Sequence, residues 1–415
     1  MSTNELAIDK KLSDFPAQLS PMVVKELRQG MRTHLFTIAF ILLQTMMIFC
    51  LLLGLAPTSS NGSTEFFWFL IILTLLFIQP LRGFSALSQE YQLNTMDLIQ
   101  LTRLDAWRIT LGKWFALNAQ GLLFAVGVLP YVVMRYFLSQ VDIIAELGLI
   151  GVVMLGSLVG TAITIGCSVF RNVILRGCIM IGVFIGAWAS VAAISFSNLT
   201  GSRGPSAALL TMVAVACLYS TFFFLSFGAA RISPLAENHA TRMRIGSLLF
   251  CALLTLFFFW DLKMSVFVVS FIVMAFACID AFTAPEPIYD AVMPSFLRVP
   301  GSRLVAWFLA PGPVTAFGFF VVGMSLCAGQ YLLCDRIHGT VNLDLVEKIV
   351  HLFSLANAVA LPTLTTSLIF RKPISFTLQF VFYASTQGVL LIISLLSHAL
   401  IGVANDHKEL IYSIA

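Results

Sequence analysis

Long, unbroken apolar runs alternate with short polar connections along the whole chain. Each run is about 20 residues or longer, and at 1.5 Å per residue that length crosses a hydrocarbon core of ~30 Å. The runs fall at 35–56, 66–87, 114–138, 147–170, 173–197, 206–230, 245–262, 264–282, 304–333, 346–370 and 374–403. They predict an all-α fold: a polytopic helical membrane protein of about eleven spans, within a range of ~10–12. Two neighbouring runs meet at Asp261 and Lys263 and can equally be read as one broken helix. Alternation of apolar and polar residues is absent within the runs, which excludes a transmembrane β-barrel.

The polar connections set orientation and organisation. Lys10, Lys11, Lys25, Arg28 and Arg32 precede the first run, and the connection at 57–65 carries no Lys or Arg. Cations return at Arg103, Arg108 and Lys113, at Arg171 and Arg176, at Arg231, Arg242 and Arg244, at Arg298 and Arg303, and at Arg371 with Lys372. A positive-inside bias then places the N-terminus in the cytoplasm and the C-terminus outside, with Arg336 and Lys348 against the rule. The polar stretch Ala230 to Arg244 divides the chain. The expected domains are a cytoplasmic N-terminus at 1–34, a six-span region at 35–232, and a further membrane region of about five spans at 233–415.

Composition agrees with a bilayer environment. The chain is 59% hydrophobic and 11% charged, whereas soluble domains carry roughly a quarter charged residues. Residues 1–30 are polar and show no secretory signal peptide. The eight cysteines form no C-x-x-C pair, so they read as small buried residues rather than zinc ligands or a redox dithiol. The six histidines contain no H-E-x-x-H, which argues against a membrane metalloprotease. Neither a catalytic nor a metal site is expected, and nothing points to nucleic acid. Arg135, Glu146, Asp261, Lys263 and Asp280 lie near run ends, where long side chains snorkel to the interface. Gln44, Gln79, Asn118 and Gln120 either hydrogen-bond between helices or line a polar path. The G-x-x-x-G pairs Gly156/Gly160 and Gly182/Gly186 are helix-packing devices first and oligomer contacts second.

Two polar segments carry the most pattern. In PMVVKELRQGMR (Pro21 to Arg32), Lys25, Arg28, Gln29 and Arg32 share one helical face and Val23, Val24, Leu27, Met31 and Leu35 the other. That is an interfacial helix with its apolar face in lipid, or only a positive anchor. In SQEYQLNTMDLIQLTRLDAWRITLGK (Ser88 to Lys113), residues 89–101 can extend the second span as a helix. The chain breaks at Thr102 to Asp105, and Asp105 can cap a new helix. Leu104, Trp107 and Leu111 give that helix an apolar side facing the bilayer or a partner. A solvated re-entry loop, with Trp107 as an interfacial aromatic, fits the spacing as well.

These two segments resemble those of type-2 ATP-binding-cassette (ABC) permeases. Pro21 to Arg32 is similar to the family's entry helix, and Gln89 to Lys113 to its loop between spans two and three. Glu90, Thr95, Leu98, Leu101, the Thr102–Asp105 break, Gly112 and Lys113 match in order, with Arg103-Leu104 where the family usually has Pro. The resemblance covers about residues 20–232, the six spans of the family's basic unit. It implies a permease subunit, an exporter in a cell inner membrane, paired with a second permease subunit and driven by a separate ATPase. The contact would use Glu90, Thr95, Leu98, Leu101, Arg103, Leu104, Trp107, Arg108 and Lys113, beside the interfacial helix with Lys25, Arg28 and Arg32. The chain has no G-x-x-x-x-G-K-[ST] phosphate loop. No cofactor is expected on it, and ATP with Mg would sit on the partner. The alternative is an ATP-independent secondary transporter, which typically shows broken helices or buried ionisable residues.

Overall fold

A computed structural model describes residues 21–54, 60–84, 86–88, 105–139, 142–170, 173, 176–177, 181–182, 207–233, 237–256, 263–283, 302–338 and 385. The expected spans at 173–197, 346–370 and 374–403 lie wholly or almost wholly outside the described residues. Every described element is helical. The chain divides into two compact units, Met1–Pro234 and Leu235–Ala415.

In the first unit, α1 (Pro21–Met31) leads through Thr33 into α2 (His34–Gly54). Phe36, Leu43, Met47 and Cys50 recur at helical spacing along one stripe of α2 and are buried. Ile38, Ile41, Leu42, Phe49 and Leu52 are exposed, as a helix needs when lipid covers its other faces.

α3 (Ser60–Ile72) runs on through a wide π-helical turn, Leu73–Ile78, into the short α4 (Gln79–Leu81). The reason for the wide turn is Pro80, which has no N–H to give to the preceding turn. The Gln79 amide bonds back five residues to the Thr74 carbonyl, and the Thr74 hydroxyl donates to Leu70 O at 2.8 Å. α5 (Ala106–Ser139), α6 (Ile143–Cys167) and α7 (Ala207–Ile232) complete the unit.

Two apolar clusters hold these helices. One joins Leu43, Met47, Phe67, Ile71, Leu75, Phe124, Val128, Val132, Ile150 and Val153. The other joins Met22, Leu87, Ala106, Ile109, Ala162, Ile165, Leu225 and Ala229. α6 and α7 touch backbone to backbone at Gly166 and Gly228. A Cβ on Gly228 would lie 3.1 Å from the Gly166 Cα, and one on Gly166 would strike the Phe224 carbonyl. Gly156, read in sequence as half of a packing pair, seats the Leu76 side chain of the second span.

The second unit contains α8 (Ala240–Thr255), α9 (Lys263–Thr283), α10 (Ser302–Leu309) and α11 (Pro313–His338). The single span expected at 304–333 is split. Ala310, Pro311 and Gly312 break it, and Gly312 takes φ 131°, which a residue with a side chain rarely adopts. Arg244, read in sequence as a cytoplasmic charge, is buried against this break. Its Nη1 donates to Phe308 O at 3.2 Å, to Thr315 Oγ1 at 3.1 Å and to Ala310 O, and its Nη2 donates to Gly312 O at 3.3 Å.

Among the described residues six helices are long and apolar enough to cross a membrane: His34–Gly54, Thr64–Ser88, Ala106–Leu138, Ile143–Cys167, Val213–Ile232 and Thr315–Leu333. Each overlaps an expected run, the last only the second part of 304–333, and they account for six of the about eleven spans expected. α8 and α9 correspond to 245–262 and 264–282, with 257–262, including Asp261, outside the described residues.

The close contact between α6 and α7 yields a stability prediction. Gly166→Val forces the two backbones apart and should cost about 1–3 kcal/mol, the usual penalty of overpacking. Gly148→Ala, where a Cβ meets nothing within 4 Å, should leave the melting temperature in detergent unchanged. Equal melting temperatures for the two variants would show that the backbone contact is not needed.

Candidate functional site

The start of α5 is where the two patterned segments meet. Asp105 sets that start: its side chain accepts from the Trp107 amide at 3.4 Å, and its carbonyl takes the amides of Arg108 and Ile109. From there α5 runs unbroken for 34 residues, about 51 Å at helical rise and some 20 Å more than a hydrocarbon core. The expected separate cytoplasmic helix and the span at 114–138 are therefore one rod. No Pro or Gly pair interrupts it near Lys113, and Gly112 alone is tolerated within a helix held by packing.

α1 lies along this rod. Met22 is buried and packs on Gly112, where a Cβ would come within 3.1 Å of its Cγ. Lys113 and Glu26 form an ion pair at 2.8 Å, with side chains 6% and 19% exposed. At its C-terminal end α1 is held by Arg82, whose Nη2 donates to Gly30 O at 2.8 Å while its Cζ sits 5.3 Å from the Phe36 ring centre. The Thr33 hydroxyl donates to the same carbonyl at 2.7 Å. A cation on the last carbonyls is the favoured charge for that helix end. The side of α1 that packs on protein is thus the one bearing Met22, Glu26 and Gly30, while Val23, Val24, Leu27 and Met31, the face expected in lipid, are partly buried. Lys25, Arg28 and Arg32 are exposed, as expected of a polar face.

Of the partner-contact residues expected from sequence, the structure describes three. Arg108 is exposed at the first turn of α5. Trp107 is half-buried and packs edge-on against Phe222 of α7, ring centres 5.9 Å apart, so this aromatic is committed to its own chain. Lys113 is spent on Glu26. Glu90, Thr95, Leu98, Leu101, Arg103 and Leu104 lie outside the described residues.

Inside the membrane region the amides bond between helices. Gln79 Nε2 donates to Leu117 O, Gln44 Nε2 to Gly127 O at 3.3 Å, and the Thr161 hydroxyl to Asn118 Oδ1 at 3.1 Å. Among the described residues, the acceptor oxygens of Gln79 and Gln120 are buried without a donor.

The snorkelling reading fails for three charges. Arg135, Glu146 and Asp280 are all buried. Arg135 Nη1 lies 2.8 Å from Glu146 Oε1 across the α5/α6 hairpin. The signal was in the sequence: opposite charges stand at similar distances on either side of the polar turn at 139–142, a spacing that pairs them once the hairpin closes. Arg176, expected in a cytoplasmic turn, donates to Phe84 O at 2.9 Å and to Ser88 Oγ at 3.0 Å.

No protein-family model, curated protein or solved structure matches this chain. The resemblance to ABC permeases therefore stands on the residues quoted for it.

The clamp on α1 can be tested alone. Lys113→Ala strands the Glu26 carboxylate at a half-buried site and should lower stability by about 1–3 kcal/mol. Glu26→Gln combined with Lys113→Gln should recover most of that loss, because no bare charge remains. Thermal unfolding in detergent reads both. Additive losses in the double variant would mean that the two side chains act separately.

Proposed function

We propose that this chain is the membrane permease subunit of an ATP-driven transporter of the ABC class, an exporter coupled to a separate ATPase subunit through residues 88–113. The observation that carries this reading is the clamp of α1 onto the first two turns of α5. A protein pressing on segment 89–104 or on exposed Arg108 would act on an element that cannot yield locally. Met22, Glu26 and Arg82 tie α1 to the same rod and to the second span, so the load passes into the membrane helices. Exposed Lys25, Arg28, Arg32 and Arg108 offer this partner a basic surface.

The finer points belong to the same proposal. About eleven spans cross a cell inner membrane, with the N-terminus cytoplasmic and the C-terminus outside. Two permease subunits pair around the path, and each recruits an ATPase that binds ATP and Mg. The apolar and small residues of the spans suit no substrate class in particular.

One observation favours the second reading, an ATP-independent secondary transporter: the buried Arg135–Glu146 pair, since ionisable groups within membrane helices mark ion and proton pathways.

Co-expression with an ATPase encoded beside this gene separates the two. The permease reading expects a stable complex whose ATPase rate changes on assembly. Charge reversal at Glu90 or Arg108 should weaken that complex about tenfold, the equivalent of 1.4 kcal/mol, with membrane insertion intact. Failure to form any complex, or full coupling in both variants, would sink the permease reading or move its contact elsewhere.

A further inference from the structure

The far end of α5 carries a second ion pair in a different setting. From Lys113 to Arg135 the rod rises about 33 Å, roughly one hydrocarbon thickness. Arg135 there meets two other helices at once. Its Nη1 is 2.8 Å from Glu146 Oε1 of α6, its Nη2 donates to the Thr64 hydroxyl of α3 at 3.1 Å, and its Cζ lies 4.3 Å from the Phe67 ring centre. The Arg135 and Glu146 side chains are 8% and 5% exposed.

The pair is close but poorly aimed. Arg135 Nη1 has no hydrogen-bond acceptor in good geometry, so the 2.8 Å approach is charge contact without a directed bond. Buried pairs with imperfect geometry gain little over their desolvation cost, so such a contact can open where water takes up the two charges as they part. Glu146 keeps other support when they part. It lies in the first turn of α6, where Asp142 caps the helix and the amide ends favour a negative charge. Arg135 leaves the Thr64 hydroxyl and the Phe67 ring with it, and its guanidinium is taken up by the water that enters.

The rod has a weak point beside this contact. Pro130 sits inside α5, little more than one turn before Arg135. A proline there removes the bond back to Val126 and lets the helix bend. The outer turns of α5 can thus swing while the part toward Lys113 stays clamped.

We propose that Arg135, Glu146 and Thr64 form a latch, and that its opening lets the α5 segment beyond Pro130 part from the start of α3 and admit water to the wall around Cys50. Cys50 is 4% exposed, lies in the same apolar cluster as Phe67 and Val132, and carries no disulfide. It is therefore a built-in reporter for the latch, whichever energy source drives the chain.

The test uses the full chain in lipid nanodiscs, a water-soluble maleimide, and mass spectrometry to read modification at Cys50. The wild-type thiol should react slowly. Arg135→Gln and Glu146→Gln should each raise the rate roughly tenfold or more, since either strands a buried charge. The double variant should react no faster than the single ones, as two residues that work as one contact are non-additive. Thr64→Val, which removes one bond and no charge, should give a smaller rise.

Wild-type rates in folded single variants would overturn the latch, and so would multiplying effects in the double variant. Loss of a monodisperse, helical protein in both single variants would also overturn it, since the pair would then be a fixed brace. Labelling requires neither ATPase nor substrate, so its outcome stands apart from that of the complex-formation test.

Discussion

In a bilayer core no water waits to solvate the end of a helix, and every buried carbonyl must find a donor within the protein. This chain meets that demand repeatedly with arginine. Arg82 closes the end of α1 at Gly30, Arg176 holds the carbonyl of Phe84, and Arg244 gathers the carbonyls where α10 turns into α11. Guanidinium suits the task because its planar donors reach several oxygens at once, and it keeps its charge when desolvated. Each of these cations fixes a place where the backbone leaves one helix for another. The first of them joins the end of α1 to the second span, sharing the Gly30 carbonyl with the Thr33 hydroxyl.

What could be read from residues was set by how locally each feature is determined. A run such as His34–Gly54 needs no partner to announce a span, since its length and apolar content suffice. Asp105 as a helix start is equally local. The break at Pro311-Gly312 was also in plain view, but the surrounding hydropathy masked it. Arg82 and Arg244 were legible only as charges, whereas the spacing of Arg135 and Glu146 about one turn already held their pairing. The roles of Arg82 and Arg244 depend on carbonyls from elements 52 and 64 or more residues away, and hydropathy carries no such information. Trp107 shows the same limit: its spacing gave it an apolar side facing the bilayer or a partner, and only the structure brings Phe222 of α7 against it.

The candidate site was legible as an alternative rather than as an answer. Spacing alone allowed a re-entry loop, and the family resemblance tipped it towards a coupling element. The geometry added the part that neither supplied, the attachment of α1 to α5 through Glu26, Met22 and Gly112. Ion pairs toward both ends of this 34-residue helix fix it to α1 through Glu26 and to α6 through Glu146.

The wide turn at Leu73–Ile78 has a consequence for how this region tolerates change in chain length. A π turn fits one residue more than an α turn into about the same full rotation, because each bond closes five residues back instead of four. Gln79 and Arg82 reach Leu117 O and Gly30 O from the register that follows it. A one-residue deletion between 73 and 78 would let the helix relax into ordinary winding, with both side chains still on the face of their acceptors. The same deletion within the regular turns of Ser60–Ile72 would have no slack to draw on and would set the upstream half of the span about 100° out of step with Gln79 and Arg82. The wide turn is thus the one stretch of this span where a residue can be lost and the connection to α1 kept.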